Sequence, residues 1–205
     1  MIRTLGVLVI FAALPALAKD PNIDPNRSVY GYCILCHGID GRGSEPVAAP
    51  RIGGMAAWYL ERQLIGFRNG WRGTHADDLY GSEMRTMALA LKDQAAVKQV
   101  AAYFAAYEPP PAVHAVEGDA EHGRALFDTC ISCHGSAAEG KRELNAPALT
   151  GQSDWYLVVQ LNHFRLGLRG NEPQDEAGMQ KRAAADALPD EQSVRDVIAY
   201  INSLQ

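Results

Sequence analysis

The chain repeats itself. Shifted by 97 residues, Cys33, Cys36 and His37 fall on Cys130, Cys133 and His134. Gly43, Pro50 and Gly54 fall on Gly140, Pro147 and Gly151, and Trp58-Tyr59-Leu60 on Trp155-Tyr156-Leu157. Gln63, Phe67, Arg68, Gly70, Arg72 and Gly73 meet Gln160, Phe164, Arg165, Gly167, Arg169 and Gly170. Gly81, Arg85, Leu91, Asp93 and Tyr103 then meet Gly178, Arg182, Leu188, Asp190 and Tyr200. A register held without a gap over this length marks a tandem duplication of one small structural unit. Whatever the fold is, it is built twice, and the equivalent residues should perform equivalent work.

The joint between the copies is visible as Glu108-Pro109-Pro110-Pro111, with Gly118-Asp119 opening the second copy. A proline run cannot continue a helix and forms an extended, semi-rigid spacer. The expected organisation is a first domain over 19–107, a linker over 108–118 and a second domain over 119–205. Residues 1–18 read as a secretory signal peptide. Arg3 gives the positive start, Leu5 to Leu14 the apolar run, and Ala16-Leu17-Ala18 the small-x-small cleavage site. That run is short for a membrane span. A protein cleaved after Ala18 and working in the periplasm is therefore expected.

Within each copy the pattern is helical. Behind Asp93, a candidate N-cap, apolar residues fall at Val97, Val100, Ala101 and Phe104, one face of a helix; Val194, Val197, Ile198 and Ile201 repeat it behind Asp190. A middle helix is expected from about Ala56 to Asn69, stopped by Gly70, and its partner from about Asp154 to Leu166, stopped by Gly167. A shorter helix should lead into each cysteine pair. Strand-like alternation is absent, so the fold class is all-α. Domains of roughly 85 residues bury only about 60% of their unfolded surface, so long loops of this kind call for a large apolar cofactor to pack on.

Cys33-Ile34-Leu35-Cys36-His37 and Cys130-Ile131-Ser132-Cys133-His134 name that cofactor. C-x-x-C-H is the attachment pattern of c-type haem, with two thiols one helical turn apart for the vinyl groups and a histidine placed beneath the iron. Two disulfides would be the default for four cysteines in an exported chain, and zinc would need the two pairs side by side. Two identical motifs in equivalent domains, each followed by histidine, favour two covalently bound haem c groups. Net charge is −5, which gives no basic surface for nucleic acid.

Methionine is the expected second axial ligand. In the first copy Met84 and Met87 both lie in what reads as a loop between the middle and last helices. Around these residues the chain resembles the class I dihaem cytochromes of the cytochrome c4 type. The resemblance is carried by the two haem motifs, Ala49-Pro50-Arg51-Ile52, Trp58-Tyr59-Leu60-x-x-Gln63-Leu64, Glu83-Met84 and Leu91-Lys92-Asp93-Gln94. It implies two tandem cytochrome c domains, each wrapped around one haem, related by pseudo-twofold symmetry with haem propionates meeting near the interface. The distal methionine in that family lies seven residues before the leucine that precedes the last helix, which favours Met84 over Met87. In the second copy this position is Lys181, and the nearby methionine is Met179. Met179 swinging in, Lys181 binding as a neutral amine, and an open or water-bound iron all stand as readings, with Met179 preferred. His163 is a further nitrogen, expected at the surface or facing a propionate.

The family also uses a proline carbonyl to hold the axial histidine, which points to Pro50 and Pro147. Arg68, Arg72, Arg165 and Arg169 suit propionate carboxylates. The Trp-Tyr pairs are expected beside haem or at the domain interface. The function implied is electron transfer between respiratory partners such as a quinol-oxidising complex and a terminal oxidase or reductase. Association with the membrane, if any, would be peripheral, and no stable oligomer is expected. The alternatives are a haem enzyme acting on peroxide, a nitrogen oxide or a sulfur compound at an open second haem, and a dedicated subunit of a larger redox complex.

Overall fold

Residues 27–205 are described by the structure, a computed structural model. The expected signal peptide and the start of the first domain lie outside the described residues. The helices run in the order α1 (Arg27–Tyr30), α2 (Cys33–His37), α3 (Ala57–Arg68), α4 (Leu79–Leu89) and α5 (Gln94–Ala105). The second copy gives α6 (Ala120–Phe127), α7 (Ile131–His134), α8 (Asp154–Arg165), α9 (Glu176–Ala185) and α10 (Glu191–Ser203). Short 3-10 turns at Glu45–Val47 and Arg142–Leu144 follow the two haem motifs. Among the described residues the only extended pairing is two isolated bridges, Ser44 with Ala49 and Lys141 with Ala146. The all-α, two-domain architecture is as expected.

Helix ends follow from local chemistry. Asp93 accepts from the Ala96 amide at 2.9 Å and Asp190 from the Ser193 amide at 2.7 Å, each satisfying one orphan donor of a first turn. Gly70 and Gly167 follow α3 and α8 with φ of +76° and +74°, a turn that a side chain would resist. The one element misjudged from sequence is the segment between middle and last helices. It is a helix in both copies, α4 and α9. Asp78 and Asp175 cap them through the amides of Gly81 at 2.9 Å and Gly178 at 3.2 Å. In α4 the large apolar residues are scattered round the helix, with Leu79, Tyr80, Met87 and Leu89 exposed, and in α9 they are few, so neither shows a helical stripe.

Each copy has its own core. Val97, Val100, Ala101 and Phe104 of α5 pack with Leu60, Leu64 and Phe67 of α3. Val194, Val197, Ile198 and Ile201 of α10 pack with Phe127, Leu161 and Phe164. Phe104 and Phe127 are fully buried, and each contributes roughly 1.5–3 kcal/mol through removal from water. In the first copy α3 packs on α4 and α5, and in the second α8 packs on α9 and α10 while α6 crosses α10. These contacts frame a space on one side of each haem motif.

The segment 107–119 carries no regular secondary structure. It is nevertheless pinned at both ends. Arg51 of the first copy donates to the carbonyls of Pro109, at 2.9 Å, and Pro110. In the second copy the buried Asp154 carboxylate accepts from the amides of Ala115 at 2.6 Å and Val116 at 2.7 Å. No helix among the described residues is long and apolar enough to cross a membrane.

Candidate functional site

Each copy contains a cavity lined by its own C-x-x-C-H motif. The first is ≈ 350 Å³ and reaches Cys33, Cys36, His37, Pro50, Met84 and Arg72. The second is ≈ 160 Å³ and reaches Cys130, Cys133, His134, Pro147, Lys181 and Arg169. The four cysteines form no disulfide, so their sulfurs remain available for thioether bonds. Burial raises the Cys33 thiol above its usual range.

The histidines are oriented alike. His37 Nδ1 lies 2.8 Å from the Pro50 carbonyl and His134 Nδ1 2.9 Å from that of Pro147. A carbonyl can only accept, so Nδ1 carries the proton and Nε2 keeps its lone pair, the arrangement required of an iron ligand. Burial lowers the pKa of His37. His134 is lowered to about 4 by burial and by the charge of Lys181, against the Pro147 bond. Both rings are therefore neutral at physiological pH, ready to coordinate.

Two of the four predicted arginines reach the cavities. Arg72 and Arg169 are buried at 6% and 8% exposure. Each guanidinium lies over a phenylalanine of its own domain, Phe67 at 4.2 Å and Phe164 at 4.5 Å. Arg72 donates to Gln63 of its own domain at 2.5 Å and to Gln160 of the other at 3.0 Å. Arg169 mirrors it, donating to Gln160 at 2.7 Å and to Gln63 at 2.7 Å. Burial and the charge of Arg72 push Arg169 below its ordinary value. The Nε of each arginine is buried without a hydrogen-bond partner. Unpaired donors of this kind are costly, and carboxylates entering from the cavities would satisfy them. An apolar cavity, two thiols, a neutral imidazole with a free Nε2 and unsatisfied guanidinium donors together fit a haem in each copy.

Arg68 and Arg165 do other work. Arg68 donates to the carbonyls of Ala88, at 3.3 Å, and Leu91, holding the end of α4 against α3. Arg165 donates to Asn162 at 3.2 Å within its own helix. Neither lines a cavity, so of the four expected arginines the cavities are reached by Arg72 and Arg169 alone. A repeated guanidinium at a helix end looks the same in sequence whether it binds a carbonyl or a ligand.

The distal candidates separate as well. Met84 is half-buried on α4 and lines the first cavity, as does Met87, which is 45% exposed. Met179 is 44% exposed and lines neither cavity. The Asp175 cap starts α9 in the same register as α4 and carries Met179 to the outer side. Lys181 lines the second cavity instead. Burial pushes its ammonium down, while the charges of Cys130 and Cys133 act the other way. His163 lines the first cavity, with Nδ1 3.7 Å from Asp78, and burial lowers its pKa.

The two cavities share a wall. Met55, Tyr59, Gln63, Gln152, Tyr156 and Gln160 line both. Gln152 donates across to the Arg51 carbonyl at 2.9 Å, and Arg62 pairs with Asp175 at 2.7 Å. The glutamines stand out in the repeat, yet their crossed pairing has no signal in sequence because each partner lies in the other copy.

Comparison with known proteins agrees with this geometry. A family described as Cytochrome c matches residues 120–205. Cytochrome c4 of Thiocapsa roseopersicina is 32% identical over 85% of this chain and 88% of its own length. A thiosulfate dehydrogenase electron acceptor of Stutzerimonas stutzeri (strain A1501) is 34% identical over 75% of this chain and 72% of its own. The structure of Acidithiobacillus ferrooxidans cytochrome c4 superposes with a TM-score of 0.68 at 30% identity, covering 85% of this chain and 99% of that one.

Proposed function

Since the chain belongs to the cytochrome c4 family of electron-transfer cytochromes, we propose that it is an exported dihaem shuttle that passes electrons between redox proteins of the periplasm. Cys33 and Cys36 would hold one haem c in the first cavity, and Cys130 and Cys133 a second in the other. His37 and His134 would each bind iron from one side, and Met84 would bind it from the other in the first domain. When bound, haem c provides a one-electron iron couple that exchanges electrons through the porphyrin edge.

The protein's own residues do the rest. Pro50 and Pro147 hold the imidazoles in the coordinating tautomer. Arg72 and Arg169 offer donors to propionates and neutralise charge where the domains meet. Met84, which lines the first cavity, would close the iron to external ligands, which suits a carrier more than an enzyme. The shared wall of the two cavities is the observation that supports this reading, because haems held in the two cavities would rest against the same side chains. Redox partners engage through small, transient interfaces. A thiosulfate dehydrogenase is a donor suggested by the S. stutzeri relative; a quinol-oxidising complex is another, and a terminal oxidase or reductase the acceptor.

The test uses holoprotein from a host that matures c-type haem. Two haems per chain are expected, both reduced by a thiosulfate dehydrogenase turning over its substrate and both reoxidised by a terminal oxidase. A chain carrying fewer haems, or two haems that exchange electrons with no donor, refutes the reading.

A further inference from the structure

We propose that Lys181 Nζ is the sixth ligand of the second haem iron, so that the duplicated domains hold chemically different centres. The assignment rests on the dihaem reading above. Asp78 fixes Gly81 at the start of α4, and Asp175 fixes Gly178 at the start of α9. Three residues on come Met84 and Lys181, in matching positions. Met179 follows Gly178 directly. Residues two apart on an α-helix point about 200° apart, so Met179 and Lys181 leave α9 on nearly opposite sides. Their environments agree, since Lys181 lines the second cavity and Met179 is 44% exposed.

Bringing Met179 inward would require α9 to rotate by close to half a turn. The cap resists this. A Cβ placed on Gly178 would lie 2.1 Å from Asp175 Oδ2, so the helix start sits tight against its capping side chain. The same carboxylate, 9% exposed, takes Arg62 of the first domain at 2.7 Å. Rotation would break the cap and strip a buried carboxylate of its cation, leaving its charge uncompensated. No other sulfur competes well. Met55 lines the second cavity, but its Sδ accepts from Gln152 Nε2 at 3.2 Å. The position matching Met87 is Ala184. Among the described residues, no hydrogen bond or ion pair engages Lys181 Nζ.

A primary amine coordinates through its lone pair, so Lys181 releases one proton to solvent as the nitrogen–iron bond forms. Methionine sulfur raises a haem potential. The amine-ligated second centre therefore lies below the methionine-ligated first, and an electron entering the second domain passes downhill to the first.

Near-infrared magnetic circular dichroism and electron paramagnetic resonance of the ferric holoprotein test this. One methionine-to-iron charge-transfer signal per two haems is expected, beside a low-spin histidine–amine signal. Lys181→Met should double the methionine signal and raise the lower of the two midpoint potentials. Met179→Leu should leave every signal in place, and Lys181→Ala should turn the second iron high-spin. Two methionine signals in the parent protein, or a high-spin second iron there, overturn the assignment. Such a protein would still hold two haems, so that failure is distinct from failure of the carrier reading, which a missing haem would reveal.

Discussion

Helix α6 leads straight into the second haem motif and crosses α10 at Gly123. A Cβ built there would lie 1.9 Å from the Asp196 carbonyl oxygen, about 1.5 Å short of the 3.4 Å at which ordinary contact begins. The obstacle is backbone within a continuous helix, so it cannot swing aside as a side chain would. Gly123→Ala thus sets two effects against each other. Alanine gains about 1 kcal/mol of helix propensity over glycine. Overpacking at a crossing costs about 1–3 kcal/mol and occasionally more, and a gap this large belongs at the upper end. The net expectation is a loss of about 1–2 kcal/mol, which for a domain near this size lowers Tm by roughly 5–15 °C. Thermal melts of the ferric holoprotein followed by far-ultraviolet circular dichroism measure it. A variant as stable as the parent, or more so, would mean that propensity outweighs the crossing and that α6 and α10 do not approach so closely.

Arg62→Ala leaves the Asp175 carboxylate without its partner. With the arginine side chain 26% exposed, the expected loss is about 1–3 kcal/mol, read as a lower denaturation midpoint, and an unchanged midpoint refutes the pairing. His122 Nδ1 lies 2.7 Å from Asp196, and that hydrogen bond raises the histidine above its ordinary 6.5. The pair therefore stabilises fully below about pH 6.5 and its contribution fades as pH rises through the elevated value. Stability measured across that window should fall toward alkaline pH in the parent and lose this component in His122→Leu; identical profiles would refute it. Met84→Ala should open the first iron, so that the reduced protein binds carbon monoxide, whereas an unchanged spectrum would assign closure to Met87.

Much of this was legible in the repeat. Two copies of C-x-x-C-H and the stripes behind Asp93 and Asp190 each predict a local arrangement that depends on nearby chain, while the prolines at 50 and 147 are pointed to by the family resemblance. Local patterns survive in sequence because their partners lie a few residues away. α4 and α9 read as loop from sequence because the apolar residues of α4 point round the whole helix and α9 has few of them, so no period shows. Arg68 and Arg72 could not be told apart, since both repeat faithfully and only the folded chain sends one to a carbonyl and the other to a cavity. Sequence alone favours Met179 over Lys181 on ligand chemistry. The geometry that turns it outward comes from a cap and an ion pair contributed by separate domains.

The crossed pairing of Arg72 with Gln160 and Arg169 with Gln63 has the form of an isologous dimer contact, in which residue i meets j and j meets i. A homodimer locked in that way must change both active faces at once, because one gene writes both. Fusing the subunits into a single polypeptide removes the constraint. Position 62 is arginine where its counterpart 159 is valine, and position 181 is lysine where 84 is methionine. Directionality, which a symmetric pair cannot possess, is open to a chain whose two halves can differ position by position.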